Sequence, residues 1–162
     1  MTQRYAPGLF DRLKNAPCDE FPDGFGWTLS QLKDAVARDL EALLNTRAGL
    51  PDFLLAPYPE TGASVLNYGL MDFAGLCLSS DVDQKRICAA VQLAIERHEP
   101  RLHAVSAALR IHRGAINRID FIICATLKAD AAAEPVQFDA VLKQSTQQYS
   151  IHSSGVRRGG FA

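Results

Sequence analysis

The four cysteines, Cys18, Cys77, Cys88 and Cys124, form no Cys-x-x-Cys pair. Three of them fall in apolar-patterned segments, where small buried thiols are common. They read as reduced, structural thiols of a cytosolic protein. No apolar run approaches the roughly 20 residues that a membrane span needs. The opening "MTQRYAPGLFDRLKN" lacks an apolar core long enough for a secretory signal. Charge of one sign is missing too. The net charge is −1, which leaves no basic patch for nucleic acid or a membrane surface. Gly-x-Ser-x-Gly, P-loop and Gly-x-Gly-x-x-Gly motifs are all absent, as is any internal repeat. What is present is a chain of 162 residues, 48% of them apolar, long enough to bury a core as one domain.

Residues 8 to 14, "GLFDRLK", could form a short amphipathic turn exposing Leu9, Phe10 and Leu13. Residues 15 to 27 carry Pro17, Pro22, Gly24 and Gly26 and read as loop. Thr28, followed three residues later by Gln31, forms a capping box. It opens a helix predicted over 29 to 47, with Leu29, Leu32, Val36, Leu40, Leu43 and Leu44 at helical spacing. Residues 48 to 82 are less regular: the prolines of "PDFLLAPYPETG" exclude a regular element, and "SVLNYGLMDFAGLCLSS" reads as a packed loop with a short strand or turn. Ser80 or Asp81 caps a second helix, 82 to 98, with Ile87, Val91, Ala94 and Ile95 inward. Pro100 ends it.

The period then changes from 3.6 to 2. Val105, Ala107, Leu109 and Ile111 share one face of a strand. After a turn at Gly114, Ile119, Phe121, Ile123, Ala125 and Leu127 face inward. A linker "ADAAAEP" leads to a third strand with Val136, Phe138, Ala140 and Leu142 on one face, and "QYSIHS" makes a fourth, short strand. Helices first and strands last predict an α+β fold, with helices packed on one face of an antiparallel sheet. The expected organisation is an N-terminal segment over 1–27, one domain over 28–153, and a flexible glycine-rich tail over 154–162 carrying Arg157 and Arg158.

The chemistry is sparse. Glu41, Glu60, Glu96, Glu99, Asp120 and Asp139 are the carboxyls a glycosidase would need in a pair. Glu96 and Glu99 share a helix face, but at an end expected to be frayed and solvated. His98, His103 and His112 match no metal-ligand spacing. Cys88 and Cys124 lack the electropositive setting of a nucleophile. The expectation is a protein that binds rather than reacts, with no catalytic residue, metal or cofactor.

"RHEPRLHAV" holds the one motif that asks for more. Pro100 keeps the chain extended, so Glu99 and Arg101, two residues apart, can project together as a fork. They either pair only with each other or a neighbour, or they are fixed for an outside partner, because preorganisation lowers the ordering cost of binding. Spacing leaves the two readings level.

"VARDLEALLNTR", "SVLNYGLMDF", "IERHEPRL" and "PVQFDAVL" occur in that order. The set resembles the TssE family, baseplate subunits of the bacterial type VI secretion system that are similar to a wedge subunit of contractile-phage baseplates. The resemblance runs from about residue 9 to 152, with Met71 where the family places a proline. It implies a structural, non-enzymatic role at a cytoplasmic baseplate docked to the inner membrane. It implies TssF, TssG and TssK as wedge partners and the TssB–TssC sheath as a further one, without nucleic acid or membrane insertion. Glu99, Pro100 and Arg101 would contact the TssF–TssG core. The C-terminal strand, with Tyr149, Ser150 and Ile151, would offer a sheet edge on which the sheath begins. The alternatives are a lysozyme-like peptidoglycan glycosidase and a phage-tail wedge subunit.

Overall fold

A computed structural model describes residues 4–8, 11–13, 26–73, 75–77, 79–111, 119–129, 132–143 and 148–154. Helix α1 (Leu29–Asn45) opens on the capping box: the Thr28 side chain accepts from the Gln31 N–H, and the Gln31 side chain accepts from the Thr28 N–H. Its buried stripe, Leu32, Val36, Leu40, Leu43 and Leu44, follows the helical period. Helix α2 (Asp52–Leu55) is a single turn after Pro51. Two 3-10 turns, Pro59–Ala63 and Val65–Asn67, follow it. The prolines of 51–62 therefore do not exclude helical turns, while the short strand or turn expected after Ser64 is met by the Val65–Asn67 turn and a bridge of Leu70 to Arg47. Pro51 and Pro59 stand just before or at the start of tight helical turns, where a missing N–H costs nothing. Helix α3 (Asp81–His98) is capped by Ser80 and buries Ile87, Val91, Ala94 and Ile95.

Four strands complete the chain: β1 (Leu102–Ile111), β2 (Ile119–Ala129), β3 (Ala132–Lys143) and β4 (Gln148–Ser154). They form one antiparallel sheet in the order β1-β2-β3-β4. Most of the expected linker between β2 and β3 is strand instead, because pairing already begins at Ala129↔Ala132. Pro135 sits inside β3, opposite Thr126 of β2.

In β1 the register shifts between His103 and Ser106, and Ala104 takes a positive φ of 49°. This bulge inserts one residue. It lets Leu102 and Val105, three apart, both enter the core. Phe121, Phe138, Ile123 and Leu127 of the sheet meet Val36, Leu40, Val91 and Ile95 of the helices in one apolar cluster. The helices lie on one face of the antiparallel sheet, as the α+β pattern requires. The N-terminal segment is tied to this body: Tyr5 bridges to Trp27 and is buried, and Asp11 pairs with Arg38 at 2.6 Å. Leu13 is exposed as expected. Leu9, Phe10, Cys18, His112, the Gly114 turn and the tail from 155 onward lie outside the described residues.

Candidate functional site: a locked charged knuckle and a capped sheet edge

Helix α3 stops at Glu99, whose backbone (φ −122°, ψ 82°) leaves the helical region while its N–H still reaches Ile95 O. This is the effect that Pro100 imposes on its predecessor. The turn closes with Leu102 N–H donating to Glu99 O, and Lys128 N–H donates to Arg101 O at 2.8 Å, which stitches the motif to β2.

The side chains do not project as an open fork. Glu99 is buried, with 5% exposure, and Arg101 grips it from two nitrogens: Nε donates to Oε1 at 2.6 Å and Nη2 to Oε2 at 2.5 Å. Arg101 Nη2 also reaches Asp39 Oδ2 on α1, at 2.5 Å. The expectation of a frayed, solvated Glu99 is thus corrected. Helix α1 passes beside the motif, and contact across 62 residues leaves no trace in local spacing. The two-nitrogen geometry is the strong form of a charge-assisted pair. Glu99, first by hydrogen bonding, and then Asp39 raise the Arg101 pKa well above its usual value, so the guanidinium stays charged. Tyr68 stands nearby. Burial, then Asp39, then Glu99 push its phenol upward. Its ring meets His98 edge-on at 5.3 Å, and His98 Nε2 lies 3.1 Å from Asn67 O. What remains outward is Pro100, which is exposed, and the accessible part of Arg101.

The second candidate, β4, is an edge strand in the sheet order, but its outer rim is occupied. Asn45 Nδ2 donates to Tyr149 O at 2.9 Å, while Tyr149 N–H donates to Asn45 Oδ1 at 2.7 Å. Ile151 N–H donates to Glu41 Oε2 at 2.9 Å. The open edge expected from the sequence is therefore capped by side chains of α1. Tyr149 packs on Phe121 with centroids 5.8 Å apart, and Ile151 enters the core. Because Tyr149 and Ile151 turn their N–H groups away from the sheet, the ladder's alternation turns that of Ser150 toward β3.

The remaining sequence candidates are spread out. Glu41 serves Ile151, Glu96 accepts from Gln92, and Asp139 accepts from Gln137. Asp120 is buried on β2, and Glu60 sits exposed in the first 3-10 turn. Among the described residues with such contacts, each carboxyl serves a neighbour, and Glu99 has both oxygens committed to Arg101. Cys77 is exposed rather than part of the core. A hydrogen bond from Ser79 lowers its thiol pKa. Burial raises that of Cys88, partly offset by a hydrogen bond with the Leu109 backbone. No helix among the described residues is long and apolar enough to cross a membrane.

The 50–71 region carries apolar side chains that are not part of the core. Leu50, Phe53, Leu54, Tyr58, Val65, Leu66 and Met71 are all exposed, Val65 by 83% and Phe53 by 73%. The signal was available: between Phe53 and Tyr68 only Glu60 is charged. A stretch that apolar should have been buried, or reserved for a partner.

The family described as "Baseplate wedge protein gp25" matches residues 30–132, more than half of the chain. The match contains α1, α3, the 99–101 motif, β1 and β2, and stops before β4. No curated protein matches the chain. A solved chain from "The baseplate complex from the type VI secretion system" aligns with 71% of this chain and 97% of its own length, at 14% identity and a TM-score of 0.47.

Proposed function

The chain belongs to the baseplate wedge protein gp25 family, and from that premise we propose that it is the TssE-type subunit of a type VI secretion baseplate. In this role it docks on the TssF–TssG core beside TssK and offers β4 to the first TssB–TssC sheath ring. The family makes it a structural baseplate component. The particular partners are our reading.

One observation carries the docking half. The Glu99-Pro100-Arg101 knuckle is fixed on three sides, by α3, by Asp39 of α1 and by Lys128 of β2. Glu99 and Arg101 satisfy each other, so the group offered outward is Pro100 with the accessible part of the guanidinium. A rigid apolar tip beside a fixed charge loses little freedom on binding. For the sheath half, an incoming strand has to replace Asn45 and Glu41 on the β4 rim before it can add to the sheet. A glycosidase would need a carboxyl pair flanking one bond. Glu99, the first candidate, is committed to Arg101, so the binding reading is preferred.

The test is co-purification of the tagged protein with TssF–TssG, and separately the appearance of fluorescent sheath in cells. Full recovery of TssF–TssG by a stably folded variant altered at both Glu99 and Arg101 would remove the docking role.

A further inference from the structure

Beside the knuckle, an open groove of about 390 Å³ runs between the 48–51 segment and the outer side of α3. Gly69 and Ala94 lie in it, Leu50 and Met71 line one side, and Leu93 and Arg97 the other. Leu50, Met71 and Leu93 are 37%, 52% and 45% exposed, so the walls are apolar side chains without cover. Phe53 and Leu54, which follow in the chain, are exposed as well. Leu50, Met71 and Leu93 thus form an apolar strip, with Asp72, Arg97 and His98 among the same lining residues, as an apolar interface centre is rimmed by polar groups.

Three observations on the walls define what fits. First, the nearby backbone is already paired: Ala48 N–H donates to Leu70 O, and Leu70 N–H donates to Thr46 O. These groups are taken, so an extended peptide could not pair with them, whereas a helix brings its own satisfied backbone. Second, the carboxylate and the guanidinium in the groove differ. Asp72 is paired with Arg47 at 3.6 Å, whereas Arg97 is exposed and has no acidic partner among the described residues. Third, a side chain added at Gly49 would meet nothing within 4 Å, so the groove has unfilled room. The end of α3 alone favours a cation at Arg97, but it does not account for the uncovered leucines beside it.

We infer that this groove seats an amphipathic helix of a partner chain, whose apolar side chains lie against Leu50, Met71 and Leu93 and whose acidic side chain meets Arg97. The site is separate from the Glu99–Arg101 knuckle and from β4, and goes beyond the docking assigned to them.

The test places the photocrosslinking amino acid p-benzoylphenylalanine at Gly49 in the full chain, isolates the baseplate complex through a tag on this chain, irradiates it and maps the joined peptide. The expected product is a helical segment of a different chain with Asp or Glu flanking its apolar face. Arg97→Glu should lower the crosslink yield roughly tenfold, and exchanging the partner's acid for lysine should restore it. A crosslink to an extended segment, to a second copy of this chain, or one indifferent to Arg97→Glu overturns the inference. So does an intact complex with no crosslink. A tag that retrieves no baseplate chain ends the docking reading of the previous section instead, so the two failures are distinct.

Discussion

Asn45 closes the rim of β4 at Tyr149 with both ends of its amide, donating to the carbonyl at 2.9 Å and accepting from the N–H at 2.7 Å. A helix side chain here does what a neighbouring strand residue would do. That arrangement protects an edge strand from unwanted pairing, and it sets the conditions under which the edge can be used.

Removing the cap should therefore loosen β4 without unfolding the protein. Asn45→Ala is expected to cost about 1 kcal/mol, the scale of a lost hydrogen bond. Tyr149 and Ile151 amides should exchange faster in Asn45→Ala and Glu41→Ala respectively, as followed by hydrogen exchange. Unchanged protection at both would mean that the rim is held by something else. In cells, the double variant should still nucleate sheath if an incoming strand replaces the caps.

Ser150→Pro should behave differently. The Ser150 N–H faces β3, so proline deletes an internal ladder bond rather than an outward donor. A thermal melt should show a clear loss in Tm. A normal melt would mean that the strand's alternation is reversed.

Arg101→Ala should destabilise the isolated protein. Glu99 is buried, and removing its partner leaves an uncompensated charge, strongly costly when fully buried. With Arg101 and Asp39 partly exposed, about 2 kcal/mol is expected, which lowers Tm by roughly 4–8 °C. Replacing both partners with apolar residues, Glu99→Met with Arg101→Leu, should recover most of that loss. If the single and double variants melt alike, burial of Glu99 is not the cause.

Two tyrosines set the alkaline limit. Tyr68 and Tyr149 both have raised pKa values, chiefly through burial. Their folded pKa lies above the unfolded one, so the stabilisation is fully present below the ordinary tyrosine value of about 10. It is lost as pH rises through the folded pKa. Phenolate absorbance should show two late-titrating tyrosines, and Tyr68→Phe or Tyr149→Phe should remove one each. In alkylation mapped by mass spectrometry, Cys77 should react before Cys88, since hydrogen bonding lowers one thiol pKa and burial raises the other.

The elements were legible where the chain's own period matched its environment. The Thr28 capping box, the α1 and α3 stripes and the alternation through Phe121 to Leu127 predicted what the fold contains, because each depends on neighbours within a few residues. Contacts across the chain were not legible. Nothing near Glu99 announces Asp39, and nothing in β4 announces Asn45 and Glu41. Ala104 hides its bulge, since alanine does not advertise a positive φ as glycine does. The apolar character of 53–68 is legible in composition, but sequence alone does not tell a buried segment from one kept for a partner.

The central claim, that this chain docks through the 99–101 knuckle, is tested most directly by size-exclusion chromatography of the purified protein with purified TssF–TssG. The Glu99→Met, Arg101→Leu double variant runs in parallel, after a melt shows it to be folded. The account predicts co-elution of the natural chain and its loss in the double variant. Failure of the natural chain to co-elute, or equal co-elution of both, would contradict it.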